Sequence, residues 1–103
     1  MIKVEQMINE RGNGAMNQFV LTDEDNDRMI FQSYSSTIVC VDFKEHVITF
    51  FEDWHYSRTT DKHRNIFFRH YAHFLDLTTT DGVRKAIQTG TYGNAGVWKV
   101  KTA

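Results

Sequence analysis

Histidines are the side chains of this sequence that first suggest a metal site, because 103 residues contain five of them. His63, His70 and His73 fall in one stretch with helical periodicity. His63 and His70 are two turns apart, roughly 10.5 Å along a helix axis, which is too far for both to bind one metal ion. Three helical histidines without a fourth ligand also make a poor site. The sequence therefore predicts no metal site and no cofactor.

Catalysis by a nucleophile or by an acid–base pair has little support in the sequence. The single cysteine, Cys40, lies in the apolar run 38–41, where a buried and inert thiol is the ordinary outcome. One cysteine also leaves no internal disulfide, as is usual in a reducing cytosol. Glu52 and Asp53 are adjacent, so on a strand their side chains point to opposite faces and cannot act together. We therefore predict that the protein is not an enzyme.

Charged side chains are divided unevenly along the chain. Residues 1–55 hold ten acidic and four basic side chains, a net charge of −6, whereas residues 56–103 hold three acidic and eight basic, a net charge of +5. The whole chain carries only −1, which argues against strong nonspecific DNA binding and against DNA mimicry over the whole surface. The pattern predicts two surfaces of opposite sign.

Basic side chains of the second half form the candidate partner-binding surface. At helical spacing, four of them share one stripe of a long predicted helix, opposite its aromatic face, and two more project from one face of the last strand. The six candidate residues are Arg58, Lys62, Arg69, His73, Lys99 and Lys101. The stripe is either a docking surface for phosphates or an acidic protein, or a solvated outer face.

Alternating apolar and polar residues, separated by polar turns, predict β-strands in the first half of the chain. Ile2, Val4 and Ile8 alternate with polar residues as a half-buried strand, and the following Gly12-Asn13-Gly14 is a hairpin signal. Four further strands are favoured by β-branched and aromatic residues. They are Met16–Thr22, Arg28–Tyr34, Thr37–Phe43 and Val47–Phe51.

Helical periodicity begins after Trp54. One helix of roughly 16 residues is predicted to end near Asp76. Its inward residues are Arg64, Phe67, Phe68, Tyr71, Phe74 and Leu75. A shorter helix, capped by Thr78–Asp81 and Gly90, precedes a turn at Gly93–Gly96 and a closing strand at Val97–Lys101. Residues 1–103 are thus predicted to be a single α+β domain, an antiparallel meander of about five strands followed by two helices packed on one face and a closing strand.

The strand predicted at Thr37–Phe43 is apolar on both faces. Its apolar residues are Ile38 and Cys40 on one face and Val39, Val41 and Phe43 on the other. A sheet that buries one face does not need a second apolar face. The pattern therefore predicts coverage by another chain, either as a homodimer or by a host protein.

Two further segments carry a recognisable pattern. One is the strand Phe31-Gln32-Ser33-Tyr34, and the other is the W-x-Y-S-x-T-T-x-K-H segment from Trp54 to His63, where the hydroxyls suit helix capping and the aromatic rings suit packing of the helix on the sheet. Together with the Gly90-Thr91-Tyr92 turn, they resemble an uncharacterised family of small phage-encoded proteins. The resemblance implies a phage or prophage accessory protein and implies no catalytic residue.

One functional hypothesis and one alternative follow. The hypothesis is a non-enzymatic phage accessory protein that binds and inhibits a host protein, such as a CRISPR effector or another defence protein. The alternative is a small nucleic-acid-binding domain that uses the basic face of the long helix. Neither a signal peptide nor an apolar run of membrane-spanning length is apparent, so the predicted location is the cytoplasm of the bacterial host.

Overall fold

The computed structural model describes residues 1–73, 75–93 and 96–103 and has the α+β architecture that the sequence predicts. Within these residues, seven strands form one sheet and two helices pack on one of its faces. The strands are β1 (Ile2–Ile8), β2 (Gly14–Asp23), β3 (Arg28–Ser33), β4 (Ser36–Asp42), β5 (Val47–Phe50), β6 (Thr91–Tyr92) and β7 (Trp98–Thr102). The helices are α1 (Arg58–His70) and α2 (Thr80–Thr89).

The strands are ordered β1-β2-β3-β4-β5-β7-β6 across the sheet. The first five form the predicted antiparallel meander, because each short connection returns the chain beside the strand it has just left. β7 runs parallel to β5, since α1 and α2 carry the chain back between them. The short strand β6, expected to be only a turn, pairs with β7. Neither described helix is long and apolar enough to cross a membrane.

One face of the sheet is buried under the helices. Residues directly opposite each other in neighbouring antiparallel strands point to the same face. Val20, Phe31, Val39 and Phe50 form one such row, and all four are fully buried. Phe67 of α1 stacks on Phe31 with the ring centroids 5.9 Å apart. This apolar row therefore fixes where α1 lies on the sheet.

The opposite face of the sheet carries apolar side chains that no described element covers. Val4, Leu21, Ile30 and Cys40 form the row next to the buried one, and each is exposed or half-exposed. A second apolar face is thus present, but β1, β2 and β3 supply most of it, and β4, from which it was predicted, contributes only Cys40. Its coverage by another chain stays a prediction.

The prediction that Ile2, Val4 and Ile8 form the buried side of the first strand is wrong. All three are exposed, and Met7 is the one buried residue of β1. β1 lies at the edge of the sheet, and its even-numbered residues continue the uncovered face through Leu21. Strict alternation shows that a strand has an apolar side, but it does not show whether a helix covers that side.

The assignment of Ile38 to the same face as Cys40 is also wrong. Phe31 lies opposite Val39 and Gln32 opposite Thr37, so Ile38 is an extra residue in β4, a β-bulge. The bulge turns Ile38 towards the core, where it is buried like Val39. The outer face of β4 is consequently less apolar than the sequence suggested.

α1 is shorter than predicted. It ends at His70, with Tyr71 as its C-cap, and does not continue to Asp76. Leu75 and Leu77 are buried in the core although they are not helical. The apolar spacing beyond the helix therefore reflects a packed connection, which periodicity alone does not distinguish from a helix.

α2 begins and ends where its caps were predicted. The Thr79 hydroxyl accepts a hydrogen bond from the backbone N–H of Gly82 at 3.0 Å, and Gly90 ends the helix in the left-handed region with φ 74°. Parts of two other predictions, the register of the long helix and the turn before the last strand, lie outside the described residues. The positions concerned are Phe74, Asn94 and Ala95.

Candidate functional site

A cleft opens where the β3–β4 turn meets the start of α1. Its volume is about 460 Å³, which is within the usual size of ligand sites, roughly 300–1,000 Å³. The two segments that carry the family resemblance come together here. The cleft is lined by Ser33, Tyr34, Ser36, Ile38, Asp53, Tyr56, Ser57, Thr59 and Thr60. Seven of these nine residues carry a hydroxyl group, so the lining offers hydrogen bonds without a strong charge.

Tyr34 stands in the turn between β3 and β4 with a strained backbone. Ser33 pairs with Ser36, which leaves a two-residue turn, and Tyr34 has φ 56°. The left-handed region costs about 1–2 kcal/mol for a side chain of this kind. The N–H of Tyr34 donates to the carbonyl oxygen of Asn17 at 2.6 Å, and the Gln32 amide donates to the carbonyl oxygen of Tyr34 at 2.7 Å. These bonds fix the backbone of Tyr34 in this conformation. Because the residue is 63% exposed, packing of its ring in the core does not explain why the strained conformation is kept.

The second wall of the cleft is the connection between β5 and α1, residues 51–57. The expectation that its aromatic rings pack the helix on the sheet holds for Trp54, whose ring lies 6.3 Å from that of Phe50. It is wrong for Tyr56, which is 77% exposed. The N–H of Tyr56 donates to the carbonyl oxygen of Asp53 at 3.2 Å. This turn brings both residues to the cleft.

Hydroxyls at the start of α1 complete the lining. The predicted cap is confirmed: Oγ of Ser57 accepts a hydrogen bond from the N–H of Thr60 at 3.1 Å and lies 3.1 Å from its Oγ1. These two hydroxyls therefore serve the helix itself. In contrast, the side chains of Tyr34, Tyr56 and Asp53 make no hydrogen bond to any described residue. These three side chains are available to a ligand, as are the hydroxyls of Ser33, Ser36 and Thr59, which also lack a hydrogen bond to a described residue.

Arg64 holds the second wall against both helices. It is fully buried, and its Nη1 donates to the carbonyl oxygen of Trp54 at 2.6 Å and to Oδ1 of Asp61 at 2.9 Å. Its Nη2 donates to Oγ1 of Thr80 at 2.7 Å and to Oδ1 of Asn65 at 3.1 Å. The guanidinium carbon lies 5.5 Å from the centre of the Trp54 ring. Burial lowers the pKa of Arg64, and the charge of Asp61 opposes that shift.

His55 extends this network to the surface. Its Nδ1 lies 2.8 Å from Oδ1 of Asp61, and its Nε2 lies 3.4 Å from Nη2 of Arg84. The neutral tautomer with its proton on Nδ1 satisfies both contacts. Arg84 also forms an ion pair with Asp81 at 2.8 Å. Each of these groups already has a partner, so the cluster offers no free group to a ligand. Its contacts link the start of α1 to the start of α2.

The six residues predicted to bind a partner lie on two surfaces. All are exposed, as the sequence indicated. Arg58, Lys62 and Arg69 follow the outer side of α1, but His73 lies beyond the end of this helix and not on its stripe as predicted. Lys99 and Lys101 flank Val100, which is buried opposite Ile48 on the helix-covered face. The two lysines therefore point away from the helices, and the six residues do not form one continuous surface.

Residues of the α1 stripe also differ in their pairing. Arg58 and Lys62 make no hydrogen bond or ion pair with a described residue. Arg69 donates to Oε1 of Glu10 at 2.8 Å in an exposed ion pair, of a kind that contributes under about 1 kcal/mol to stability. Arg58 is the first residue of α1 and follows Ser57 of the cleft. Arg58 thus brings an unpaired positive charge next to the cleft along the chain, whereas Lys62, one turn further along α1, lies beside Asn9, Glu10 and Arg11.

The residues considered above for catalysis or metal binding are not brought together in this cleft. Cys40 lies half-buried on the outer face of the sheet, not buried as expected, and burial raises the pKa of its thiol. Glu52 and Asp53 lie in the turn after β5, not on a strand, and only Asp53 lines the cleft. No three His, Cys, Asp or Glu side chains in the described part of the chain are placed to hold a metal ion. The lack of a cofactor and of catalysis stays a prediction.

Tyr34, Tyr56 and Asp53 are not among the functional residues predicted from the sequence. A signal for the two tyrosines was present, since each is followed directly by a serine in a segment rich in hydroxyls. The repeated Tyr-Ser pair marks both walls of the cleft. Nothing in the sequence places Asp53 beside them.

A family model matches residues 2–90 of the chain, and it is that of the family of unknown function DUF8033. The match covers more than half of the chain, so the chain belongs to this family. The matched residues include both walls of the cleft. No curated protein and no solved structure matches the chain. The comparisons assign no activity, and the phage origin implied by the resemblance stays a prediction.

Proposed function

We propose that this member of the DUF8033 family acts without catalysis, by binding a segment of another protein in the cleft beside Tyr34 and Tyr56. The observation that carries the proposal is that two largely exposed tyrosines, from distant parts of the chain, line one hydroxyl-rich cleft. Tyrosine supplies a large, rigid, amphipathic contact area at little entropic cost, and small hydroxyl side chains supply adaptable hydrogen bonds. This combination is typical of surfaces that recognise proteins.

The lining of the cleft supports binding more than catalysis. Among its described residues Asp53 is the only carboxylate, and no histidine, lysine or cysteine accompanies it. Acid–base catalysis most often uses histidine, and a serine, threonine or tyrosine nucleophile needs an adjacent base. No hydroxyl of the described cleft lining is hydrogen-bonded to Asp53, so none is paired with the one carboxylate that could activate it.

Charge beside the cleft favours an acidic partner. Arg58 and Lys62 are exposed and unpaired among the described residues, and Arg58 follows directly on the cleft. Charges at the rim of an interface steer association and suppress wrong partners. We therefore propose that the bound segment carries acidic residues that reach this end of α1.

The resemblance to small phage-encoded proteins extends the proposal to a biological setting. In that setting the partner is a bacterial host protein, such as a CRISPR effector or another defence protein. Binding in the host cytoplasm then inhibits that protein by occupying a surface it needs.

A second candidate function is binding of single-stranded nucleic acid. The same two tyrosines beside Arg58 and Lys62 favour it, because such strands bind where aromatic rings stack on bases and basic groups contact phosphates. The net charge of −1 weighs against it, because this kind of affinity rests on several phosphate contacts.

Capture from a nuclease-treated bacterial lysate tests the proposal. The baits are the parent chain, Tyr56→Ser and the double variant Arg58→Glu with Lys62→Glu. The matched control is Lys99→Glu with Lys101→Glu, which makes the same charge change on the other surface. We expect the parent and the control to retain the same protein, and the other two variants to retain it at least about tenfold less, since truncating a central interface residue costs ~2 kcal/mol or more.

Two outcomes would contradict the proposal. If the control loses the retained protein and Tyr56→Ser does not, the cleft is not the binding site. If the parent binds single-stranded DNA in a salt-dependent way and the Arg58 and Lys62 reversals abolish it, the second candidate is correct. Melting curves of all variants establish that each one is folded.

A further inference from the structure

We propose that β1 is a dimerisation edge, through which two copies of this chain join their sheets as an antiparallel pair centred on Val4. β1 lies at the end of the strand order and pairs on one side only, with β2. Its outer side presents unpaired backbone groups, which are a template for another strand. A second copy of β1 is the strand whose side chains complement it.

Exposed apolar side chains concentrate at this edge. Eight large apolar side chains are exposed in the described part of the chain, and five of them lie in its first 16 positions. These five are Met1, Ile2, Val4, Ile8 and Met16. Such a concentration on one strand and the residues beside it indicates a surface that another chain covers.

The charges of β1 select the second copy as that chain. Lys3 and Glu5 lie opposite Thr22 and Val20, so both point to the side of the sheet that carries the helices. In an antiparallel pair centred on Val4, Lys3 of each copy lies opposite Glu5 of the other. The two Val4 side chains then meet on the outer face. Opposite charges and apolar residues placed directly across a strand pair both stabilise it.

Neighbouring registers are excluded by the same residues. Centring the pair on Lys3 or on Glu5 places like charges opposite each other, which is destabilising. Centring it on Glu5 also requires residues 2–8, and the N–H of Ile8 already donates to the Tyr71 hydroxyl at 3.0 Å. The register centred on Val4 needs only residues 2–6. The edge thus accepts a second copy in one alignment.

This inference is independent of the proposed function. β1 contributes no residue to the cleft, so either idea can fail without the other. It also differs from a dimer formed by stacking the two outer faces of the sheets. Lys3 and Glu5 point away from those faces, so their charges would not affect a stacked dimer.

Exchanging the two charges of β1 tests the pairing. Light scattering of the parent across a dilution series should show a mass that rises from 12.1 kDa towards twice that value. Lys3→Glu and Glu5→Lys each place like charges opposite each other twice, so each should weaken the dimer by about tenfold or more. An equimolar mixture of these two variants should dimerise again, because the edges of the two proteins are then complementary. The double exchange in one chain should also restore the dimer.

Two further measurements establish the register and the controls. In a Cys40→Ser background, Val4→Cys should form a disulfide between copies, because the two residues lie directly opposite each other. Gln6→Cys should not, since its two copies would lie ~13 Å apart along the strands. Glu24→Lys changes the same charge in the exposed turn after β2 and should leave the dimer intact.

Three results would overturn the proposal. The first is a parent that stays at 12.1 kDa at every concentration. The second is a parent dimer that neither single charge change weakens, which would place the contact on another surface. The third is a mixture of Lys3→Glu and Glu5→Lys that remains monomeric although both variants are folded by circular dichroism.

Discussion

Replacing Arg64 with alanine should lower the free energy of unfolding by about 3–5 kcal/mol, because it removes a fully buried side chain that holds a network of hydrogen bonds and an ion pair. The variant leaves the carbonyl oxygen of Trp54 and the hydroxyl of Thr80 without this donor, and it leaves the carboxylate of Asp61 with His55 as its remaining partner. A domain of this size has a total stability of about 5–15 kcal/mol. Urea unfolding followed by far-ultraviolet circular dichroism should therefore show a large fall in the midpoint.

Arg69→Ala is the matched control for this loss. It removes an arginine outside this network whose ion pair with Glu10 is exposed, so it should cost under about 1 kcal/mol. Arg64→Lys keeps the charge but cannot reproduce the forked contacts of the guanidinium, and should fall between the two. Equal, small effects of the two alanine variants would show that Arg64 does not hold the cleft wall.

Replacing Tyr34 with glycine should stabilise the protein and weaken its binding. Glycine adopts φ 56° without the penalty that the tyrosine bears. The larger loss of backbone entropy when glycine folds offsets part of this, which leaves a net gain in stability of about 0.5–1 kcal/mol. The exposed ring contributes little to the core, but it is a principal contact in the proposed interface. Affinity for the partner should fall roughly 30-fold, as for other interface hot spots. Opposite changes in stability and affinity are typical of a residue kept for function.

Asp27→Gly is the control for the backbone effect. Asp27 has φ 53° in the exposed turn between β2 and β3, away from the cleft. Its replacement should stabilise the protein less, because aspartate tolerates this region better than tyrosine. It should leave binding unchanged. A Tyr34→Gly variant that is less stable than the parent, or that binds as tightly, would show that Tyr34 has no functional role.

Local features of the fold could be predicted from the sequence. The five-stranded meander follows from short polar turns between apolar runs, because each hairpin is specified by neighbouring residues. Ser57 and Thr79 cap the starts of α1 and α2, and Gly90 ends α2, as the hydroxyl and glycine signals indicated, since caps also act over three or four residues. The parallel pairing of β7 with β5 could not be predicted, because it joins segments separated by both helices.

The candidate site depended on longer-range contacts. Helical periodicity placed Arg64 on the inner side of α1, but its partners Trp54 and Thr80 are 10 and 16 positions away. The bulge at Ile38 changes which residues of β4 face outwards, and no local pattern marks it. The exposure of Tyr56 follows from the turn that precedes it, and residue type alone does not indicate it, because tyrosine is intermediate between mostly buried and mostly exposed residues. The sequence therefore indicated both walls of the cleft without showing that they meet.

Amide hydrogen exchange of the chain alone and with its captured partner tests most directly whether the cleft binds a protein segment. We predict that binding slows exchange in the two cleft walls, residues 33–36 and 53–60, and that it leaves β7 unchanged. Slower exchange in β7 or along the outer-face row of Leu21 and Ile30, with both cleft walls exchanging as in the unbound chain, would contradict the account.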